Sequence, residues 1–328
     1  MRFFSDMKFC GFTKFEPIRK VDTRSSEIGK CYPIDAPDER KADLGVPFGM
    51  ASSGLQIFSS LRRRLEYRSR IVPLLLKRHI VQIALAWVAL FGFAALLRIV
   101  TVVTPVHGIF DFLTVIAPYA LVLIAPIAGY LVAAGAFPNG NAMAQPEIRL
   151  SRFGRWQSVS ITDARAHPAF GPAGFMASLL VGLGLNVVVR TGEFLMAVPA
   201  MSLHAPGWGL TFLYTMTLDL AVMSFFYMVC FVAALRNVPY FPRLLLFVWL
   251  LDIVAQLMIA KQIAPMPGLP SDVAALLNTL LYGNMQKVLI SMFVWLPYLI
   301  LSERVNVTYR QRVELPKAPA ASSFLATA

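Results

Sequence analysis

Residues 80–103 read IVQIALAWVALFGFAALLRIVTVV, a run interrupted only by Gln82, Arg98 and Thr101. Crossing a hydrocarbon core of roughly 30 Å as a helix takes about 20 apolar residues, and this run suffices. Five more runs match it, at Phe112–Ala136, Gly174–Met201, Leu210–Leu235, Leu244–Ile263 and Val273–Leu301. The reading is an all-α integral membrane protein with six transmembrane helices, arranged as a two-helix hairpin followed by a four-helix bundle.

Composition agrees. Of 328 residues, 57% are hydrophobic and 15% charged, with a mean hydropathy of +0.63. A water-soluble chain carries about a quarter charged residues. The net charge of +12 could suggest nucleic acid, but its distribution argues against that partner. Residues 1–79 hold 16 Lys and Arg, and 26 of the 30 basic residues lie on one side of the expected membrane. The opposite loops, 104–111, 202–209 and 264–272, contain none. Positive loops are retained in the cytoplasm, so both termini are expected there.

The parts outside the spans follow from composition. Residues 1–54 lack helical or alternating periodicity and read as a disordered cytoplasmic arm, with Met50 a possible alternative start. Residues 55–79 form a basic amphipathic juxtamembrane segment. Leu55, Phe58, Leu61 and Leu65 recur at helical spacing, and Arg62, Arg63, Arg64, Arg68 and Arg70 supply a polar face for anionic headgroups. Pro73 is expected to break it from the first span. The hairpin covers 80–136, with prolines at 118 and 126. A basic loop at 137–173, with Phe153 and Trp156 among arginines, reads as an interfacial linker. The four-helix domain covers 174–312 and a disordered tail 313–328.

Cys10, Cys31 and Cys230 offer neither a disulfide framework nor a Cys-x-x-Cys metal site. The four histidines lack ligand spacing. Gly182-Leu-Gly184 with Asn186 reads as close helix packing rather than a nucleotide loop, because no strand precedes it. No elbow or metalloprotease motif occurs. No metal, no cofactor and no enzymatic activity are expected. A membrane-protein partner is compatible with the short loops and basic arm.

The last span ends Trp295-Leu-Pro-Tyr-Leu-Ile-Leu-Ser-Glu-Arg-Val-Asn-Val-Thr-Tyr309. It resembles the ending of a bacterial inner-membrane family, domain of unknown function 2569. That family closes with a Pro-Tyr step, a Ser-x-Arg-Val turn and a Thr-aromatic pair. The hinge Arg236-Asn-Val-Pro-Tyr-Phe-Pro-Arg243 and the mid-span acid after it look similar too. The likeness covers roughly residues 172–312. Tyr309 stands where the family has Phe, and the hinge is less basic. The resemblance implies a membrane fold and no activity. Independently of it, Trp295, Tyr298 and Arg304 have the character of interfacial anchors, and Ser302, Glu303, Arg304 and Arg310 of a headgroup-facing stop.

The residues able to carry chemistry are polar groups at membrane depth: Arg190, Glu193, Asp219, Asp252, Asn284, Gln286 and Lys287. The five charges fall in the middle-to-outer layer when depth is counted at about 1.5 Å per residue. Each isolated charge costs about 2.5–3.5 kcal/mol at the centre of a span, so they are expected to pair. Arg190 and Glu193, at i and i+3, are expected to pair within one helix. Lys287 is expected to meet Asp219 or Asp252 across the bundle, with Asn284 and Gln286 as hydrogen-bonding neighbours. Two readings stay open, a polar cavity for transport and a buried network that fixes helix register.

Overall fold

The structure is a computed structural model that describes residues 69–138, 143–147 and 155–315. The arm, residues 55–68 of the amphipathic segment, Arg149, Arg152 and Phe153 of the basic loop, and the tail from 316 onward lie outside the described residues. Within them the chain forms α1 (Ile71–Arg78), α2 (Ile80–Val100), α3 (Ile109–Ala136), β1 (Trp156–Ser158) and α4 (Ile161–Ala166). There follow α5 (Phe175–Ala197), α6 (Gly207–Leu235), α7 (Phe241–Ile263), α8 (Ser271–Leu301), α9 (Glu303–Arg310) and β2 (Arg312–Glu314). Six of these, α2, α3, α5, α6, α7 and α8, are long and apolar enough to cross a membrane. The protein is an all-α multi-pass membrane protein. Large exposed apolar side chains, Phe93 on α2 and Phe293 on α8 among them, lie on the outer faces of these helices, as contact with lipid requires.

Pro73 does not break the chain as expected. It occupies the third residue of α1, where its missing N–H would have had no intrahelical acceptor. The interruption comes at His79, which closes α1 by donating its N–H to Leu75 O and is not itself helical.

The hairpin and the later spans share one core. Helix α3 packs more extensively against α6 than against α2. Gly129 makes this possible: a Cβ there would overlap the Phe225 carbonyl oxygen and lie 3.0 Å from the Phe225 Cα. Both prolines of α3 are buried, and the helix runs on through them.

Helix α6 ends in a Schellman closure. Val238 N–H reaches Ala233 O at 2.9 Å and Asn237 N–H reaches Ala234 O at 3.2 Å, with Asn237 in the left-handed region at φ 56°. Pro239 and Pro242, the latter in the first turn of α7, then let the chain reverse at once. Arg236 seals this end by donating to Ala134 O and Phe137 O, both at 2.8 Å.

The segment after α3 is more than a linker. β1 pairs antiparallel with β2, Trp156 opposite Glu314 and Ser158 opposite Arg312. Ser160 caps α4 by accepting the Asp163 N–H at 3.2 Å. Gly171 N–H donates to Thr308 Oγ1 at 3.0 Å, and Arg70 to Pro168 O at 3.3 Å. The loop therefore folds over α9.

That cover explains a second departure. Of Ser302, Glu303, Arg304 and Arg310, expected to face headgroups, Arg310 is instead buried, together with residues 305–309. Arg310 donates to Asn306 Oδ1 and Leu299 O, each at 2.9 Å, so it closes the end of α8 from inside. Burial, with Arg312 and Arg243 nearby, pushes its guanidinium down to about 10. Arg304 donates to the Ala169 carbonyl at 3.3 Å. Trp295 and Tyr298 gather round Phe175, with ring centroids 4.5 and 5.0 Å away. Tyr309 is buried against Phe241 and donates its hydroxyl to Ala234 O at 2.9 Å. Tyr309→Phe is expected to lower thermal stability by about 1 kcal/mol, one neutral hydrogen bond. A melting temperature in detergent unchanged from wild type would contradict this role.

The opposite end is closed by short loops. Asp111 accepts N–H bonds from His107 at 2.9 Å and Leu203 at 3.0 Å, and Ser202 donates to Pro105 O at 2.7 Å. Arg98, on α2, donates to the Leu195 and Met196 carbonyls in the last turn of α5, where a cation is favoured.

Candidate functional site

Three helices converge on one guanidinium. On α5 the buried residues Met176, Leu180, Leu183, Val187, Arg190 and Phe194 recur every three or four positions, so Arg190 lies on the inward stripe. Asp219 lies on the inward face of α6, with Tyr227 two turns further along. On α7, Asp252 and Gln256 are one turn apart and share a face. Arg190 Nη1 donates to Asp252 Oδ2 and Nη2 to Asp219 Oδ2, both at 2.8 Å. Tyr227 donates its hydroxyl to Asp252 Oδ2 at 2.7 Å. Gln256 Nε2 stands 3.2 Å from Asp219 Oδ1 and 3.2 Å from Asp252 Oδ1. Arg190, Asp219 and Asp252 are 5%, 8% and 0% exposed. The result is a buried network joining α5, α6 and α7.

The expected pairings differ. Arg190 does not pair with Glu193, because a planar fork finds two carboxylates on neighbouring helices within reach of its two terminal nitrogens. Glu193, three residues on, is turned away from the buried stripe and bonds Lys287 of α8 instead. Lys287 consequently does not meet Asp219 or Asp252. It flanks the inward stripe of α8, which is Leu277, Leu281, Asn284 and Val288. Asn284 is buried with its Oδ1 3.5 Å from Lys287 Nζ, whereas Gln286 is exposed on the far side of α8 and joins neither group.

Tyr227 and Gln256 are the members that sequence reasoning missed. Gln256 had a signal, since it sits four residues after a mid-span aspartate. Tyr227, eight residues after Asp219, had the same one at twice the distance.

A groove adjoins each of these two residues. Tyr227 borders one of about 240 Å³, beside Asn186, Trp249, Lys287, Ser291 and Trp295. Gln256 borders another of about 480 Å³ between α7 and α8, beside Asn278, Thr279 and Tyr282. Along the helices the first extends toward the basic end and the second toward the opposite one. Among the described residues no three His, Cys, Asp or Glu converge as a metal site would require.

No protein-family model matches this chain, and neither any curated protein nor any solved structure does.

Proposed function

We propose that this chain is a non-enzymatic, multi-pass component of a bacterial inner membrane, acting as an accessory, scaffolding or sensing subunit. The observation that supports it is the closure of the deep charges. All five are bonded to one another, in one triad and one pair. Groups so engaged fix helix register more readily than they perform acid–base work, which needs a free partner within hydrogen-bond reach of a substrate. The likeness of residues 172–312 to domain of unknown function 2569 adds no activity to this reading. Purification from membranes in mild detergent tests it. A stoichiometric membrane-protein partner is expected, and repeated recovery of the chain alone counts against it.

The same reading places both termini in the cytoplasm and the collar Arg62, Arg63, Arg64, Arg68 and Arg70 against anionic headgroups. A reporter fused after residue 328 should be active only in its cytoplasmic form; activity restricted to the periplasmic form would refute the orientation.

A second reading, a small transporter or channel, draws support from the two grooves that meet the network at Tyr227 and Gln256. In proteoliposomes carrying a pH-sensitive dye, flux lost on replacing Asp219 or Asp252 by Asn, in a variant of normal stability, would favour it over the scaffold.

A further inference from the structure

We propose that the Arg190–Asp219–Asp252 cluster is a mid-membrane binding site for one proton, held between the two carboxyl groups at the Gln256 amide. The inference is independent of whether the protein scaffolds or transports.

Charge balance is the starting point. Arginine keeps its proton in proteins, so one guanidinium faces two carboxylates and the ionised cluster carries one excess negative charge. The other charged groups around it are already engaged. Lys287, from α8, is bonded to Glu193 of α5, and Arg98, from α2, is bonded to backbone carbonyls of α5. Asp111 of α3 is held at the far loops. Cys230, one turn from Tyr227 on α6, is buried and adds no positive charge. A uniform unit charge at this depth is disfavoured even on the mildest insertion scales. Uptake of one proton from water converts one carboxylate to a carboxylic acid, changes no other covalent bond and leaves the cluster neutral.

Hydrogen bonding indicates where that proton sits. Both Oδ2 atoms accept from Arg190, and Asp252 Oδ2 accepts from Tyr227 as well. The two Oδ1 atoms face the same Gln256 amide, each at 3.2 Å, and its Nε2 also lies 3.3 Å from Asp219 Oδ2. That amide is half unpartnered: Gln256 is 1% exposed, yet its Oε1 has no hydrogen-bond donor. Turning the amide over exchanges its two ends. Its Nε2 then leaves the carboxylates, and Oε1 accepts the proton carried by either Oδ1. One amide orientation serves the ionised cluster and the other the protonated cluster. A buried acceptor that lacks a donor only when the site is ionised is what a proton-binding site contains.

Infrared spectroscopy of the full chain in lipid nanodiscs at neutral pH, with ¹³C-aspartate labelling, tests this. The wild type should show a protonated aspartyl C=O stretch that shifts in D₂O. The band should be absent from both D219N and D252N, because either substitution removes the excess charge and leaves the remaining aspartate ionised against Arg190. A wild-type spectrum without the band overturns the proposal, whether the cluster is then bare or holds a metal cation. So does a band that persists in either variant. The wild-type arm decides by itself if a variant fails to fold.

Discussion

Arg190→Met should destabilise the bundle more than any other single substitution at the network. Among the described residues it removes the one cation paired with Asp219 and Asp252, and it leaves the two carboxylates facing each other with no counter-charge. Breaking a buried pair from one side costs about 3–5 kcal/mol, far more than the intact pair contributes over an apolar substitute. Arg190→Lys should recover part of this loss. An ammonium restores the charge but is a point donor that lacks the planar fork spanning two carboxylates. Asp219→Asn and Asp252→Asn should cost much less than either, since an amide retains an oxygen for the guanidinium and the remaining carboxylate balances it without a bound proton. Thermal unfolding in detergent, followed by loss of the monodisperse peak, ranks the four. Equal melting temperatures for Arg190→Met and Asp219→Asn would mean that the cluster is not organised around the arginine.

The second large effect is expected at Gly129→Ala, outside the charged network. The added methyl would meet the backbone of Phe225, which cannot rotate away as a side chain could. Either α3 and α6 separate along the most extensive helix contact of the fold or both helices shift. Overpacking of this kind costs about 1–3 kcal/mol, and membrane helices depend on such close approach because lipid supplies no hydrophobic drive between them. Gly92→Ala on α2 is the matched control: its Cβ would meet nothing within 4 Å. A destabilised Gly129 variant beside an unchanged Gly92 variant is the predicted pattern. Two equal variants would contradict the packing.

The spans were legible because hydrocarbon imposes length and apolarity on each helix separately, and both are written locally. Phe241–Ile263 and Ser271–Leu301 begin only two or three residues from the limits expected for them. Partners were not legible. Spacing of i and i+3 showed that Arg190 and Glu193 could meet, but not that two other helices offer better acceptors. The choice between them is made by helix rotation, a tertiary quantity. Part of that rotation was available in sequence. The heptad-like stripe Leu277, Leu281, Asn284 and Val288 turns Asn284 inward and Gln286 outward. The ending was misread for a different reason. Glu303-Arg-Val-Asn-Val-Thr-Tyr-Arg310 is polar enough to read as solvated, yet the chain from 155 to 174 folds over it and supplies partners for Arg304 and Thr308. A contact between segments 135 and 137 residues apart leaves no local trace.

The central claim is that Arg190 is held by Asp219 and Asp252 on neighbouring helices, and not by Glu193 on its own. Thermal stability of double and triple variants built on Arg190→Met tests it most directly. Adding Asp219→Asn and Asp252→Asn together should restore most of the lost stability, because no uncompensated carboxylate remains, while adding Glu193→Gln should restore none. Rescue by Glu193→Gln, with no rescue by the two asparagines, would contradict it.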